Sequence, residues 1–176
     1  MIFEIKDQEY WFVRTDNGDN YESFLRNGFI GIGWNEITVE DLRKIDVYGE
    51  SIRQKIIANP ENRVSDLKGS SQKAKITAIL NKNVAFKNLK RGDIVLIPSQ
   101  WSFEIAFGII QDDNIYTEIE QSCPYLKRRK VEWVTKEELK NLDAKFGYIR
   151  TTSHAISKIH SNYHSIIDNF MFNAYF

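Results

Sequence analysis

The residues best suited to chemistry in this chain are aromatic and cationic, and their placement suits binding better than catalysis. Trp34 follows Phe29-Ile30-Gly31-Ile32-Gly33, an apolar run with two glycines on one face. Missing Cβ atoms there let another group lie close to the backbone. Trp101 comes just after Ile94-Val95-Leu96-Ile97-Pro98, with Ser99, Gln100 and Ser102 around it. Aromatics at strand ends line pocket mouths, where a base stacks for about 1–3 kcal/mol. Ser99 and Gln100 would add hydrogen bonds from the same loop. Trp11 and Trp133 fall inside apolar runs and read as core.

Cations form a second group. Lys127-Arg128-Arg129-Lys130 sits at the start of a strand-like run. Exposed, it is a phosphate-contact patch; on an edge strand it would instead discourage edge-to-edge pairing. Both readings stand at this point. Arg14, Arg150 and Thr151-Thr152-Ser153 could present donors where a last helix begins, and a helix N-terminus favours anions.

Catalytic patterns are missing. Gly31-Ile32-Gly33 lacks a third glycine and leads into Trp34, so it is not a dinucleotide loop, and no Walker-type phosphate loop occurs. His160 and His164 are four residues apart, with Asp168 continuing the spacing, but position 161 is Ser. The pattern reads as a solvated helix face, and no metal is expected. Cys123 stands alone and reads as a small buried hydrophobe. Glu4, Asp93, Glu104 and Glu132 lie in or near strands with no spacing that pairs them. No cofactor is implied.

Composition bounds the class. The chain has 176 residues, long enough for one domain over 1–176 with a real core. Lys plus Arg equals Asp plus Glu at 24 each. A protein that grips nucleic acid without specificity usually has a basic excess. Binding would therefore need a local patch and a specific pocket. With one cysteine, no apolar leader and no apolar stretch near 20 residues, the expectation is a cytoplasmic protein outside the membrane.

The elements that must position these residues follow from pattern. Strands are expected at Tyr10 to Arg14, Phe29 to Trp34, Ile94 to Pro98, Phe103 to Ile110 and Tyr125 to Val134, with Phe103, Ile105, Phe107 and Ile109 facing the core. A short strand is expected at Gly147 to Arg150. Helices are expected at Tyr21 to Arg26, stopped by Gly28, after Thr38, at Ser51 to Ile57, at Gln72 to Asn81 behind Ser70 or Ser71, and at Lys136 to Leu142. Ser153 would cap a last helix from His154 to Phe172. Thr38 and Asp41 have capping-box spacing. Early alternation of strand and helix, then strands in succession, gives an α+β fold: a mixed sheet or small barrel with helices outside.

The order of these pieces resembles the EVE-like domains found ahead of Mrr-type restriction nucleases, within the PUA-like superfamily. The resemblance rests on Phe29-Ile30-Gly31-Ile32-Gly33-Trp34, Lys90-Arg91-Gly92-Asp93-Ile94-Val95-Leu96, Phe107-Gly108-Ile109-Ile110, Arg128-Arg129-Lys130-Val131-Glu132-Trp133 and Arg150-Thr151-Thr152-Ser153, and it spans nearly the whole chain. It implies a PUA-like mixed β pseudo-barrel flanked by helices. It also implies a non-catalytic reader of DNA or RNA that holds one base, often modified, in an aromatic pocket. Trp34 and Trp101 would stack on the base beside Gly33, and Arg14 with Lys127 to Lys130 would meet phosphates. Any cleavage would come from a separate nuclease or effector chain in a defence system. The segment 48–71 is longer and more polar than the resemblance implies and reads as a lid or insertion. Two other readings stay open. One is a sensor for a small nucleotide-like ligand. The other is a protein-interaction module using the aromatic tail Phe170 to Phe172 and Tyr175-Phe176.

Overall fold

Tyr10-Trp11-Phe12-Val13 is an unbroken aromatic and β-branched run. It forms β1 (Tyr10–Val13), buried along its whole length. The computed structural model describes residues 7–45, 49–142 and 144–175. Glu4, Tyr48 and Phe176 lie outside them. The architecture is α+β. The chain forms two compact units: the described parts of Met1–Ile30, Leu89–Asn114 and Arg129–Phe176, and those of Gly31–Asn88 and Ile115–Arg128.

The first unit is built on a strongly curled sheet. β1 runs parallel to β3 (Ile94–Pro98), with Tyr10, Trp11 and Phe12 opposite Ile94, Val95 and Leu96. β3 pairs antiparallel with β4 (Glu104–Ile110), which pairs antiparallel with β6 (Lys127–Glu138). The full strand order is β2-β6-β4-β3-β1-β7, where β2 is Phe29–Ile32 and β7 is Ile156–Lys158. β5 (Tyr116–Thr117) belongs to the second unit and pairs there with Arg128 and Lys127 at the start of β6. The β4–β6 register shifts between Phe107 and Gly108. A bulge bends a strand and increases its twist. Gly108 is required there: a Cβ would sit 2.5 Å from Val131 Cγ1 and 2.6 Å from Trp133 Cε3.

Phe12, Leu96, Ile105 and Phe107 pack with Phe146, Ile149 and Ile167 into this unit's core. α5 (His164–Tyr175) covers it, with Phe170 packed against the cluster. Tyr10 anchors the helix: its ring stacks on His164 and its hydroxyl donates to Asp168 Oδ1 at 2.6 Å. α1 (Tyr21–Asn27) ends at Gly28, whose φ of 66° is the left-handed conformation the sequence predicts.

The second unit is helical. α2 (Val39–Arg43) opens with the capping box of Thr38 and Asp41. α3 (Gly49–Ala58) and α4 (Gly69–Lys87) bury Ile52, Ile56, Ile76, Ile79 and Leu80 with Ile37, Leu42 and Val64. The described part of segment 48–71 supplies Ile52, Ile56 and Val64 to this core.

Several boundaries differ from the expectation. The last helix does not start at His154. Ile156 to Lys158 pair with Val13 to Trp11 as β7, and the helix begins at His164. Ile156 and Ile159 fit a helical period, but β1 offers an open edge for pairing. Gly147 to Arg150 belong to a 3-10 helix over Ala144–Arg150. β6 continues to Glu138 where a helix is expected, because β4 pairs with it down to Glu104. α4 starts earlier and ends later than 72–81, with Lys68 in the N-cap place. Phe103 precedes β4 and is exposed, while Ile105 and Phe107 are buried as expected.

Candidate functional site

The first unit carries a cavity of about 550 Å³ between two loops. One loop follows β1 and the other follows β3. Asp16, Asn17 and Gly18 take φ of 53°, 55° and 97°. Asn, Asp and Gly are the residues that tolerate this left-handed region most readily. Gly18 is needed for a second reason, since a Cβ would collide with the Gln100 backbone. Thr15 is buried and donates its hydroxyl to Pro98 O at 2.6 Å, tying the two loops together.

The other loop is a 3-10 turn over Gln100–Ser102. Trp101 and Ser102 have φ of 56° and 54°. For a bulky side chain this conformation is an outlier costing about 1–3 kcal/mol, and it persists only where its surroundings fix it. They do so here. Ser102 N donates to Ser99 O, and Glu104 N donates to Ser99 Oγ, both at 2.9 Å. The result is an indole that is 75 % exposed at the cavity.

The lining combines that indole with Arg14, Arg150, Asn17, Gln100, Ser99 and Ser102. Among the described lining residues none is a carboxylate, histidine or cysteine. Glu104, close by in sequence, is engaged elsewhere: it accepts from the Tyr21 hydroxyl at 2.7 Å and pairs with Lys136 at 3.2 Å. Burial, with Glu104 beside it, pushes the Tyr21 hydroxyl up and keeps it protonated. The cavity thus presents two guanidinium groups, amide and hydroxyl edges and one flat apolar face. Such a set can hold an anion joined to an aromatic ring.

The sequence places Trp101, Ser99, Gln100 and Arg14 at this site, and the structure brings those four together. Trp34 and Gly33 are not among its lining residues. They belong to the second unit, where Trp34 packs against the helical core with Lys82 Nζ over its ring at 5.7 Å. The space left by missing Cβ atoms at Gly31 and Gly33 is taken by the chain itself: Tyr125 lies against both, and Lys127 O against Gly31.

The cationic run is the main correction. Lys127, Arg128 and Arg129 are buried and only Lys130 is exposed. Lys127 Nζ donates to three carbonyls, Gly33 O at 3.0 Å, Trp34 O at 2.6 Å and Ile37 O at 2.7 Å. Burial pushes its pKa down to about 8, against the pull of Glu36 and Asp41. Arg128 reaches Tyr125 O, Cys123 O and the Glu120 carboxylate. Arg129 donates to Leu89 O at 2.5 Å and Asp112 O at 2.9 Å, and burial lowers its pKa. These three side chains fasten loops and do not form an exposed phosphate patch.

The histidines also have structural work. His160 Nδ1 accepts from Asn162 N, and His164 lies on Tyr10 with Nε2 3.0 Å from Ile159 O. Among the described residues no cluster of His, Cys, Asp or Glu could hold a metal. Ser153 does not cap α5, which begins at His164, and Arg14 and Arg150 lie in the cavity wall and not at a helix N-terminus. Sequence reasoning passed over Asn17 and Gly18. Their signal was the run Asp16-Asn17-Gly18, three residues in a row that favour positive φ.

The chain belongs to a recognised family: residues 11–160 match a domain of unknown function, DUF8426. No curated protein and no solved structure matches it. No helix among the described residues is long and apolar enough to cross a membrane.

Proposed function

We propose that the chain is a PUA-like, non-catalytic nucleic-acid reader whose cavity takes one nucleotide, with the base against Trp101 and its phosphate met by Arg14 and Arg150. The observation that carries this reading is an exposed indole, held in a strained conformation, beside two arginines in a cavity whose described lining has no carboxylate. A volume near 550 Å³ falls in the range of small-ligand sites. Stacking would supply about 1–3 kcal/mol. Asn17 and Gln100 carry both donors and acceptors, as reading a base edge requires. A methyl group on the base would add about 0.8 kcal/mol if it were buried. Extruding the base from a duplex costs a few kcal/mol that these contacts must offset. A separate nuclease or effector chain, in a restriction or defence setting, would act on what is bound.

The test is a tryptophan fluorescence titration with short single- and double-stranded oligonucleotides, plain and methylated. Quenching that disappears in Trp101→Ala and persists in Trp34→Ala supports the reading. Unchanged binding in Trp101→Ala refutes it.

A second reading, a sensor for a free nucleotide-like ligand, is favoured by the zero formal net charge and the burial of Lys127, Arg128 and Arg129. Salt separates the two. Affinity for a polymer falls steeply with salt in proportion to the phosphates neutralised, whereas a small ligand on two arginines responds weakly.

A further inference from the structure

The sequence balances its charges overall but not along its length. Residues 67–88 hold five lysines (Lys68, Lys73, Lys75, Lys82 and Lys87) and no Asp or Glu. Nearly all of this stretch is α4, 19 residues long and so roughly 28 Å from end to end. Ile76, Ile79, Leu80, Asn83 and Phe86 are buried on one side. The opposite face is exposed and made of short side chains: Ser70, Ser71, Ala74, Thr77, Ala78 and Asn81. At 100° per residue, Lys73 flanks this face on one side and Lys75 with Lys82 on the other. Lys68, Lys73 and Lys75 make no ion pair among the described residues.

We infer that α4 is a DNA-docking helix: its small-residue face enters the major groove of a duplex, and Lys73 on one flank and Lys75 on the other meet phosphates of the two strands, while Lys82 stays over the Trp34 ring. This rests on the nucleic-acid reading of the chain. Charge complementarity selects a polyanion, since the segment has no acid to repel one. The arrangement of charges selects a duplex. A B-form major groove about 12 Å wide admits a helix, and cations on both flanks of a short-side-chain face match a strand on each side. The narrow major groove of A-form RNA does not admit one. The segment would supply the local basic surface that the buried Lys127 to Arg129 run does not.

The experiment uses the full chain and the triple variant Lys68→Gln, Lys73→Gln, Lys75→Gln, at two exposed positions and one half-buried one. Affinity for a 20-base-pair DNA duplex is measured across salt, beside a duplex RNA of the same length. Adenosine monophosphate binding is followed separately by fluorescence. The expected result has three parts: the triple variant binds DNA at least about tenfold more weakly, its log–log salt slope is smaller by about two, and the nucleotide response is unchanged. DNA affinity and slope equal to wild type would overturn the inference, as would equal binding of duplex RNA or no binding of DNA by the wild type. If DNA binding fails while the nucleotide still quenches Trp101, the cavity reading survives alone. If DNA binding depends on α4 but is indifferent to Trp101→Ala, the docking helix survives and the cavity reading falls.

Discussion

Trp34 in the second unit and Trp101 in the first share a positive φ, 56° in both, and share almost nothing else. Around Trp34 the strain is matched by the fold. The ring packs on the helical core, Lys82 lies over it, and Lys127 holds the carbonyls of Gly33, Trp34 and Ile37. Around Trp101 the backbone is fixed just as firmly through Ser99, yet the ring is 75 % exposed. One turn places an indole to complete a core, and the other presents an indole beside a cavity. Strained residues concentrate at ligand clamps and binding loops, and the proposed function builds on that contrast.

The largest effect expected from breaking this contrast is at Lys127. Lys127→Met removes the ammonium that donates to three carbonyls, and an acceptor left buried and unpaired costs about 1–3 kcal/mol. A net loss near 3 kcal/mol in urea unfolding is expected. A variant as stable as wild type would show that the ammonium does not organise the Trp34 turn.

Gly18→Ala comes next. With φ of 97° and the Gln100 backbone in the path of a Cβ, a loss of about 1–3 kcal/mol is expected. The same change should disturb the cavity, so nucleotide binding should weaken along with stability. Retained binding would separate the Asn17–Gly18 loop from the site.

A smaller effect is set by pH. The folded pKa of Lys127 is about 8, below its ordinary 10.5. Between those values the unfolded chain holds the extra proton, so this group's contribution to stability rises with pH through that window. Above pH 10 the trend reverses. Burial, with Glu104 at Tyr21 and Asp168 at Tyr10, raises both hydroxyls, and the unfolded chain loses those protons first. Midpoints of urea unfolding from pH 7 to 11 should rise and then fall. The rise between pH 8 and 10 should be absent in Lys127→Met; if it persists there, another group is responsible.

Local pattern reached much of the scaffold. β1, β2, β3 and β4 follow from their apolar runs, Gly28 from its place after α1, and the capping box from Thr38 and Asp41. It failed where the deciding partner is distant. Ile156 to Lys158 extend only because β1 lies beside them. Lys127 reads as exposed until the carbonyls of residues 33–37 are known to surround it, and Arg129 until Leu89 and Asp112 are. The same limit explains the tryptophans. Both follow an apolar run with small or polar neighbours, and sequence alone cannot say which ring has a core to enter.

The most direct test of the account is nucleotide binding in Trp101→Ala set against stability. With its ring exposed, Trp101 should be removable with a change in unfolding free energy within about 0.5 kcal/mol. Affinity should fall by about 1–3 kcal/mol, the worth of one stacked base, and binding should be unaltered in a Trp34→Phe control. A Trp101→Ala protein that binds every nucleotide and oligonucleotide as wild type does would contradict the account at its centre.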